Sequence, residues 1–155
     1  MLMITTKRGD RGQTDYFDKR VSKDSDLIET VGALDELHAV CGLVKLEKIQ
    51  IDLNLIMGFL EEETRNKILE TRIEEMEKEI GKMEKEISVP KKFLIFKKTK
   101  AAELNWVRTI VRRAERIVVK LETRNKKQDK NILIYLNRLS DYIYLLALKE
   151  ENKIK

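Results

Sequence analysis

The stretch VRTIVRRAERIVVKL places Arg108, Arg112 and Glu115 at i, i+4 and i+7. On a helix of roughly 3.6 residues per turn these three fall within about 60° of one another. They stand immediately beside an apolar stripe made of Leu104, Val107, Val111, Ala114, Val118 and Leu121. Arg116 lies somewhat further round, and Arg113 points well away. An arginine next to a core stripe needs an acceptor, because an unpaired buried charge is costly. For one arginine alone, an interhelix salt bridge or a subunit contact is the better reading. Two arginines with only Glu115 nearby leave spare donors, and a forked, permanently charged donor suits a phosphate chain.

A second polar set interrupts YLNRLSDYIYLL, where Asn137 and Asp141 are i, i+4 on an otherwise apolar rod, with Ser140 and Tyr144 adjacent. Polar groups on such a helix must be hydrogen-bonded. A structural network is one reading, with Asp141 simply holding Arg138; for Asn137 a ligand amine or hydroxyl is as good a partner. Asp35 completes the set, a carboxylate able to cross the bundle and fix an arginine of the 101–121 helix. Together these residues indicate an anion site inside a helical bundle without naming the anion. A third concentration, TTKRGDRGQTDYFDKRVSK from Thr5 to Lys23, gathers glycine, hydroxyls and cations in a segment with neither helical nor strand period. It reads either as a disordered arm or as a loop that wraps a polyphosphate.

The elements that position these residues follow from apolar spacing. Asp26 with Glu29 three residues on marks a helix start, and Leu27, Val31, Leu34, His38, Cys41 and Val44 carry that helix to about Leu46. A second apolar segment holds Ile49, Leu53, Ile56 and Leu60. In the charged region that follows, Leu69, Ile73, Met76, Ile80, Met83 and Ile87 alternate steps of four and three, a narrow seam. Gly81 weakens this helix without ending it, and Ser88-Val89-Pro90 ends it. Residues 91–100, KKFLIFKKTK, read as a loop. A helix resumes from Ala101, ETRNKKQDKN reads as a polar connection, and a last helix from Ile132 to about Lys149 is apolar on nearly every side and so belongs inside the assembly.

The whole is an all-α bundle of four or five helices in a single domain, 1–155. Its 155 residues are 42% hydrophobic and 38% charged, with a formal net charge of +5. Acids and bases alternate along most of the chain, which describes solvated helix faces rather than a nucleic-acid footprint. No run approaches membrane-spanning length, the opening MLMITTKRGD lacks the apolar centre of a signal peptide, and a cytoplasmic protein is expected. The single cysteine, Cys41, sits in an apolar register as a buried, inert thiol, and the lone His38 has no partner at zinc-ligand spacing.

Three motifs, in order, resemble the ATP:cob(I)alamin adenosyltransferases of the propanediol-utilisation type. They are TKRGDRGQT leading into RVSKD; VGALDELHAVCGL; and VRTIVRRAERIVVKL followed by YLNRLSDYIYLLA. The resemblance covers the first forty-five residues or so and the region from about Phe93 to Ala147. It implies a five-helix antiparallel bundle that assembles as a homotrimer with active sites between neighbouring subunits. The implied reaction moves the 5′-deoxyadenosyl group of ATP to the cobalt of a corrinoid and releases triphosphate, giving adenosylcobalamin. Cofactors and partners implied are ATP, Mg²⁺ and cobalamin, with an upstream reductase and a downstream adenosylcobalamin-dependent enzyme, but neither nucleic acid nor membrane.

Matched residue by residue, ATP contacts fall on Thr6, Lys7, Arg8, Gly9, Thr14, Asp15 and Lys23 of the loop 5–23, and on Arg112, Arg113, Glu115, Arg116 and Asn137. The resemblance pairs Asp35 with Arg108, sets Arg112 at the triphosphate, and holds no metal by protein side chains alone. It also implies a phenylalanine beneath the corrin, excluding the axial ligand and water; Phe93 is the match, with Phe96 as the alternative. Here the residues after Ile95 are Phe96, Lys97 and Lys98, where the family usually has Leu-Pro-Gly-Gly. A competing reading is a non-catalytic ATP-binding bundle, a sensor or interaction module, which the seam 69–87 suits. It does not account for Arg108, Arg112, Asn137 and the opening loop together.

Overall fold

The computed structural model describes residues 5–58, 60, 66–125 and 130–153. A small antiparallel hairpin, β1 (Gln13–Tyr16) and β2 (Lys19–Ser22), precedes five helices: α1 (Asp26–Leu43), α2 (Glu47–Met57), α3 (Asn66–Glu86), α4 (Thr99–Asn125) and α5 (Lys130–Asn152). The all-α expectation therefore holds for the bundle and misses the hairpin. Gln13 pairs with Ser22 and Tyr16 with Lys19 across a two-residue turn. Phe17 enters that turn in the left-handed region, φ 49°, a conformation in which a β-carbon is crowded. With four-residue strands, neither face shows enough alternation to be read from sequence.

The cap of α1 is Ser25, one residue before the predicted Asp26; its Oγ accepts from the Ile28 N–H at 3.3 Å. The Asp26 carboxylate is drawn instead to α4, where Arg124 donates to it at 2.7 Å and Lys120 stands 3.3 Å away. α1 stops short of Leu46 because Lys45 turns left-handed, φ 61°, and the Leu46 N–H closes back on the Cys41 carbonyl at 2.9 Å. The seam of α3 is buried as spaced, from Leu69 to Met83, and the helix passes through Gly81 and ends before Ser88-Val89-Pro90.

Of the polar connection predicted over 122–131, residues 122–125 belong to α4 and 130–131 to α5. α4 runs to Asn125 and α5 starts at Lys130, and residues 126–129 lie outside those described, as do 1–4 and 61–65 of the stretches read above.

Side-chain pairs give the helix directions. Asp26–Arg124, Glu29–Lys120 and Glu36–Arg113 run α1 antiparallel to α4. Asn131–Glu70, Arg138–Glu77 and Lys149–Glu86 run α3 parallel to α5. Arg72–Asp52 and Lys48–Glu75 set α2 antiparallel to α3, and Glu115–Asn137 with Arg108–Tyr144 set α4 antiparallel to α5, so consecutive helices alternate throughout. α1 packs against both α2 and α4, and α5 packs between α3 and α4. The core between them contains Leu34, Leu37, Leu53, Val107, Val111, Tyr135, Leu136, Leu139 and Ile143, all fully buried. Cys41 is inside this core, and burial pushes its thiol up to about 12, which fits the expected inert role. No described helix is long and apolar enough to cross a membrane.

Candidate functional site

A groove of about 730 Å³ opens between the segment after α3, the first half of α4 and the middle of α5. Arg108 and Arg112 enter it from α4, Ser140, Asp141 and Tyr144 from α5, and Phe93 and Phe96 from the connecting segment. The geometry gathers residues as far apart in sequence as Phe93 and Tyr144, because α4 and α5 are antiparallel and the segment crosses their open end.

Arg108 is fixed from two sides. Its Nε donates to Asn105 Oδ1 at 3.0 Å, and its guanidinium carbon lies 5.5 Å from the centre of the Tyr144 ring. Phe96 meets the same ring edge-on at 6.4 Å, with the planes at 90°. Arg112 differs: it is exposed, and its guanidinium has no hydrogen bond or ion pair among the described residues. Only its backbone is engaged, its carbonyl accepting from Arg116 at 3.0 Å. The two phenylalanines separate just as sharply, with Phe96 half-buried against the core and Phe93 fully exposed at the groove.

The remaining predicted residues find local partners. Asn137 donates to Glu115 at 3.2 Å and accepts from Arg138 at 3.1 Å. Arg138 also donates to Glu77 at 2.8 Å, so it is held by α3 and not by Asp141 as the sequence suggested. Asp141 is left exposed at the groove. Arg113 pairs with Glu36 of α1.

The opening segment is a built loop. Arg8 and Arg20 both bind Asp15, at 3.2 and 3.0 Å, and Arg20 also donates to the Arg8 carbonyl. The Arg8 N–H reaches Thr6 Oγ1 at 3.5 Å, and Thr14 is half-buried in β1. Lys7 and Gly12 are left-handed, φ 55° and 74°. The Lys23 ammonium rests on Gly9, where an added β-carbon would stand 2.9 Å from Nζ. A side chain there would move the lysine aside without disrupting the loop. The hairpin is anchored to α2, Tyr16 Oη donating to the Met57 carbonyl at 2.7 Å.

Two expected groupings do not form within one chain. Asp35 and Arg108 are not paired. Glu36 stands opposite Arg113, which places Asp35 about six residues, or about 9 Å of helix rise, from the level of Arg108. The loop carrying Thr6 to Lys23 is tied to α2, whereas Arg112 and Asn137 face the α4–α5 side, with α1 between α2 and α4.

A buried polar cluster that sequence reading missed lies on α2. Asp52 is only 2% exposed, accepts from Tyr135 Oη at 2.9 Å, and has Arg72 Nε 3.1 Å from its other oxygen. That ion pair is misaligned, so neither Asp52 Oδ1 nor Arg72 Nε makes a hydrogen bond. Burial raises the Asp52 carboxyl above its ordinary range against the pull of Tyr135 and Arg72, and burial beside Asp52 holds the Tyr135 hydroxyl well above its own. The signal was present: Asp52 is three residues after Ile49 and four before Ile56, on the apolar face. Its contacts tie α2 to α3 and α5. Among the described residues no group of three or more His, Cys, Asp or Glu stands together as a metal cage.

Residues 4–150 match the family model for cobalamin adenosyltransferase. The chain is 33% identical to the corrinoid adenosyltransferase of Bacillus subtilis (strain 168), over 94% of this chain and 85% of that protein. It is 32% identical to the corrinoid adenosyltransferase MMAB of Bos taurus, over 98% of this chain and 74% of that one. Among solved structures it is similar to a variant of the PduO-type ATP:corrinoid adenosyltransferase from Lactobacillus reuteri complexed with cobalamin and ATP. That similarity has a TM-score of 0.85 and 28% identity, over 96% of this chain and 93% of that one.

Proposed function

The chain belongs to the cobalamin adenosyltransferase family, and from that premise we propose that it transfers the 5′-deoxyadenosyl group of ATP to the cobalt of cob(I)alamin. The single observation that carries this reading is the Arg112 guanidinium, unpaired among the described residues, in the same groove as the fully exposed Phe93. A cation with free forked donors suits the triphosphate, and an uncommitted aromatic face suits a corrin.

The electron pair that forms the cobalt–carbon bond comes from Co(I), and the bond that breaks joins the 5′ carbon to the triphosphate oxygen, which departs with its pair. No proton is removed from the nucleophile, so the chain needs no general base. Its task is to align the two substrates and to stabilise charge on the leaving group. Arg112 and Lys23 take the triphosphate, while Thr6, Lys7, Arg8, Gly9, Thr14 and Asp15 close over it. Arg113, Glu115, Arg116 and Asn137 complete the nucleotide side, and Phe93 covers the lower corrin face. Mg²⁺ would be held chiefly by the phosphates of its ATP, since such ions use few protein ligands, and it would supply positive charge beside the triphosphate that Arg112 and Lys23 take.

The active unit is a homotrimer of this one domain. A second copy brings the α2-anchored loop to a neighbour's α4–α5 groove, and it supplies the Asp35 that Arg108 lacks in its own chain. The enzyme works in the cytoplasm, between a reductase that delivers Co(I) and an enzyme that uses adenosylcobalamin.

The test is an anoxic assay with purified protein, Mg·ATP and chemically reduced cob(I)alamin, followed by visible spectrum. Appearance of adenosylcobalamin is expected. Tight ATP binding with no cobalt–carbon bond would overturn the transferase reading and favour the non-catalytic nucleotide sensor.

A further inference from the structure

We infer that Glu151, in the last turn of α5, is a positioning residue that sets the course of the segment bearing Phe93. This deepens the corrinoid reading above and rests on it.

The carboxylate of Glu151 accepts from the Lys97 N–H at 3.2 and 3.1 Å and from the Lys98 N–H at 3.1 Å. These are backbone donors just ahead of α4, whose first intrahelical bond runs from the Ala102 N–H to the Lys98 carbonyl at 2.9 Å. Lys98 therefore occupies the cap position of α4, and a lysine side chain offers no acceptor there. The first turn of α4 holds no acidic residue either. The acceptors and the negative charge that a helix start favours come from the far end of another helix.

The sequence predicts α5 to end near Lys149; the extra turn to Asn152 is the one that carries Glu151. The neighbouring Glu150 is spent on the surface cations Lys153 and Lys100, so the clamp belongs to Glu151 alone. Lys98 Nζ reaches the Lys153 carbonyl, and Phe96 abuts Tyr144, which closes the anchor on its inner side. Phe93 sits four residues upstream of the clamp, and among the described residues no hydrogen bond holds its side of the segment. Where the clamp fixes the exit, it fixes the reach of Phe93 into the groove.

The experiment compares full-length wild type, Glu151→Ala and Glu151→Gln by two readouts. Trypsin cleavage after Lys91 and Lys92, read by mass spectrometry, reports the segment directly, since cleavage follows local opening. Corrinoid and ATP saturation curves report the consequence. Glu151→Ala is expected to speed that cleavage about tenfold and to raise KM for corrinoid about tenfold while KM for ATP stays put, because misplacement of a positioning group costs rate steeply. Glu151→Gln, which keeps one oxygen for both N–H groups, is expected to recover most of both losses.

Unchanged cleavage in Glu151→Ala overturns the clamp. Faster cleavage with unchanged corrinoid kinetics, or equal losses for ATP and corrinoid, overturns the positioning role. A wild type that never turns over corrinoid overturns the proposed function, and the cleavage readout then still judges the clamp separately.

Discussion

The ring of Tyr144 lies under the guanidinium of Arg108, 5.5 Å from its carbon, and joins α5 to α4 at the floor of the groove. A cation over an aromatic face is worth about 0.5–1 kcal/mol at an exposed site, enough to favour one rotamer. Arg108 is thereby committed, by Tyr144 and Asn105, while Arg112 one turn on is not. The division of labour between two arginines that look alike in sequence comes from what faces each of them.

Arg112→Ala should therefore lower turnover by about two to three orders of magnitude, the range for losing one preorganised donor to developing charge. The melting temperature should not move, because the side chain makes no bond among the described residues. Steady-state kinetics beside a thermal melt check this, and near-normal turnover removes Arg112 from the mechanism.

Phe93→Ala should impair assays that start from Co(II) more than those supplied with Co(I). The side chain is fully exposed, so stability should be unaffected. A fitting role under the corrin is to keep the lower face dry, which matters for reduction and not for the transfer itself. Equal loss in both assays would contradict that role and return attention to Phe96.

Mixing subunits tests whether sites span two copies. Lys23→Ala and Arg112→Ala should each be nearly inactive, yet random hybrid trimers should regain about a quarter of wild-type activity, because one interface in four draws both intact residues from different chains. No regain after refolding the mixture would place both residues in one chain's site.

Two aspartates should tilt the pH profile of stability in opposite directions. Hydrogen bonding from Arg124, the largest cause, with Lys120, holds Asp26 below its ordinary range despite some desolvation. Its folded state binds fewer protons, so its contribution is present above about pH 4 and is lost as pH falls through the lowered value. Burial raises Asp52, so its folded state binds more protons and stability falls as pH rises from about 4 through the raised value. In urea melts across pH 3–7, Asp26→Asn should flatten the acid loss, and Asp52→Asn should remove the decline on rising pH. Matching profiles for the two variants would contradict this assignment.

Much of the bundle was legible because its signals are local. The seam Leu69 to Met83 and the stripe Leu104 to Leu121 repeat every three or four residues, and both are buried as their spacing requires. Arg108, Arg112 and Asp141 were legible as charges beside apolar stripes, and the structure brings them to one groove. What was hidden depends on distant partners. Asp26 could have capped its own helix until Arg124, ninety-eight residues away, claimed it. The hairpin rests on two four-residue strands, and Asp52 shows in sequence only as a carboxylate on an apolar face, its partners Arg72 and Tyr135 lying on other helices.

The most direct measurement is an anoxic single-turnover experiment with Mg·ATP and cob(I)alamin that quantifies triphosphate and adenosylcobalamin together. Attack on the 5′ carbon predicts one triphosphate for each cobalt–carbon bond, at a rate that collapses in Arg112→Ala. Release of ADP and phosphate, or nucleotide consumption without adenosylcobalamin, would contradict the account.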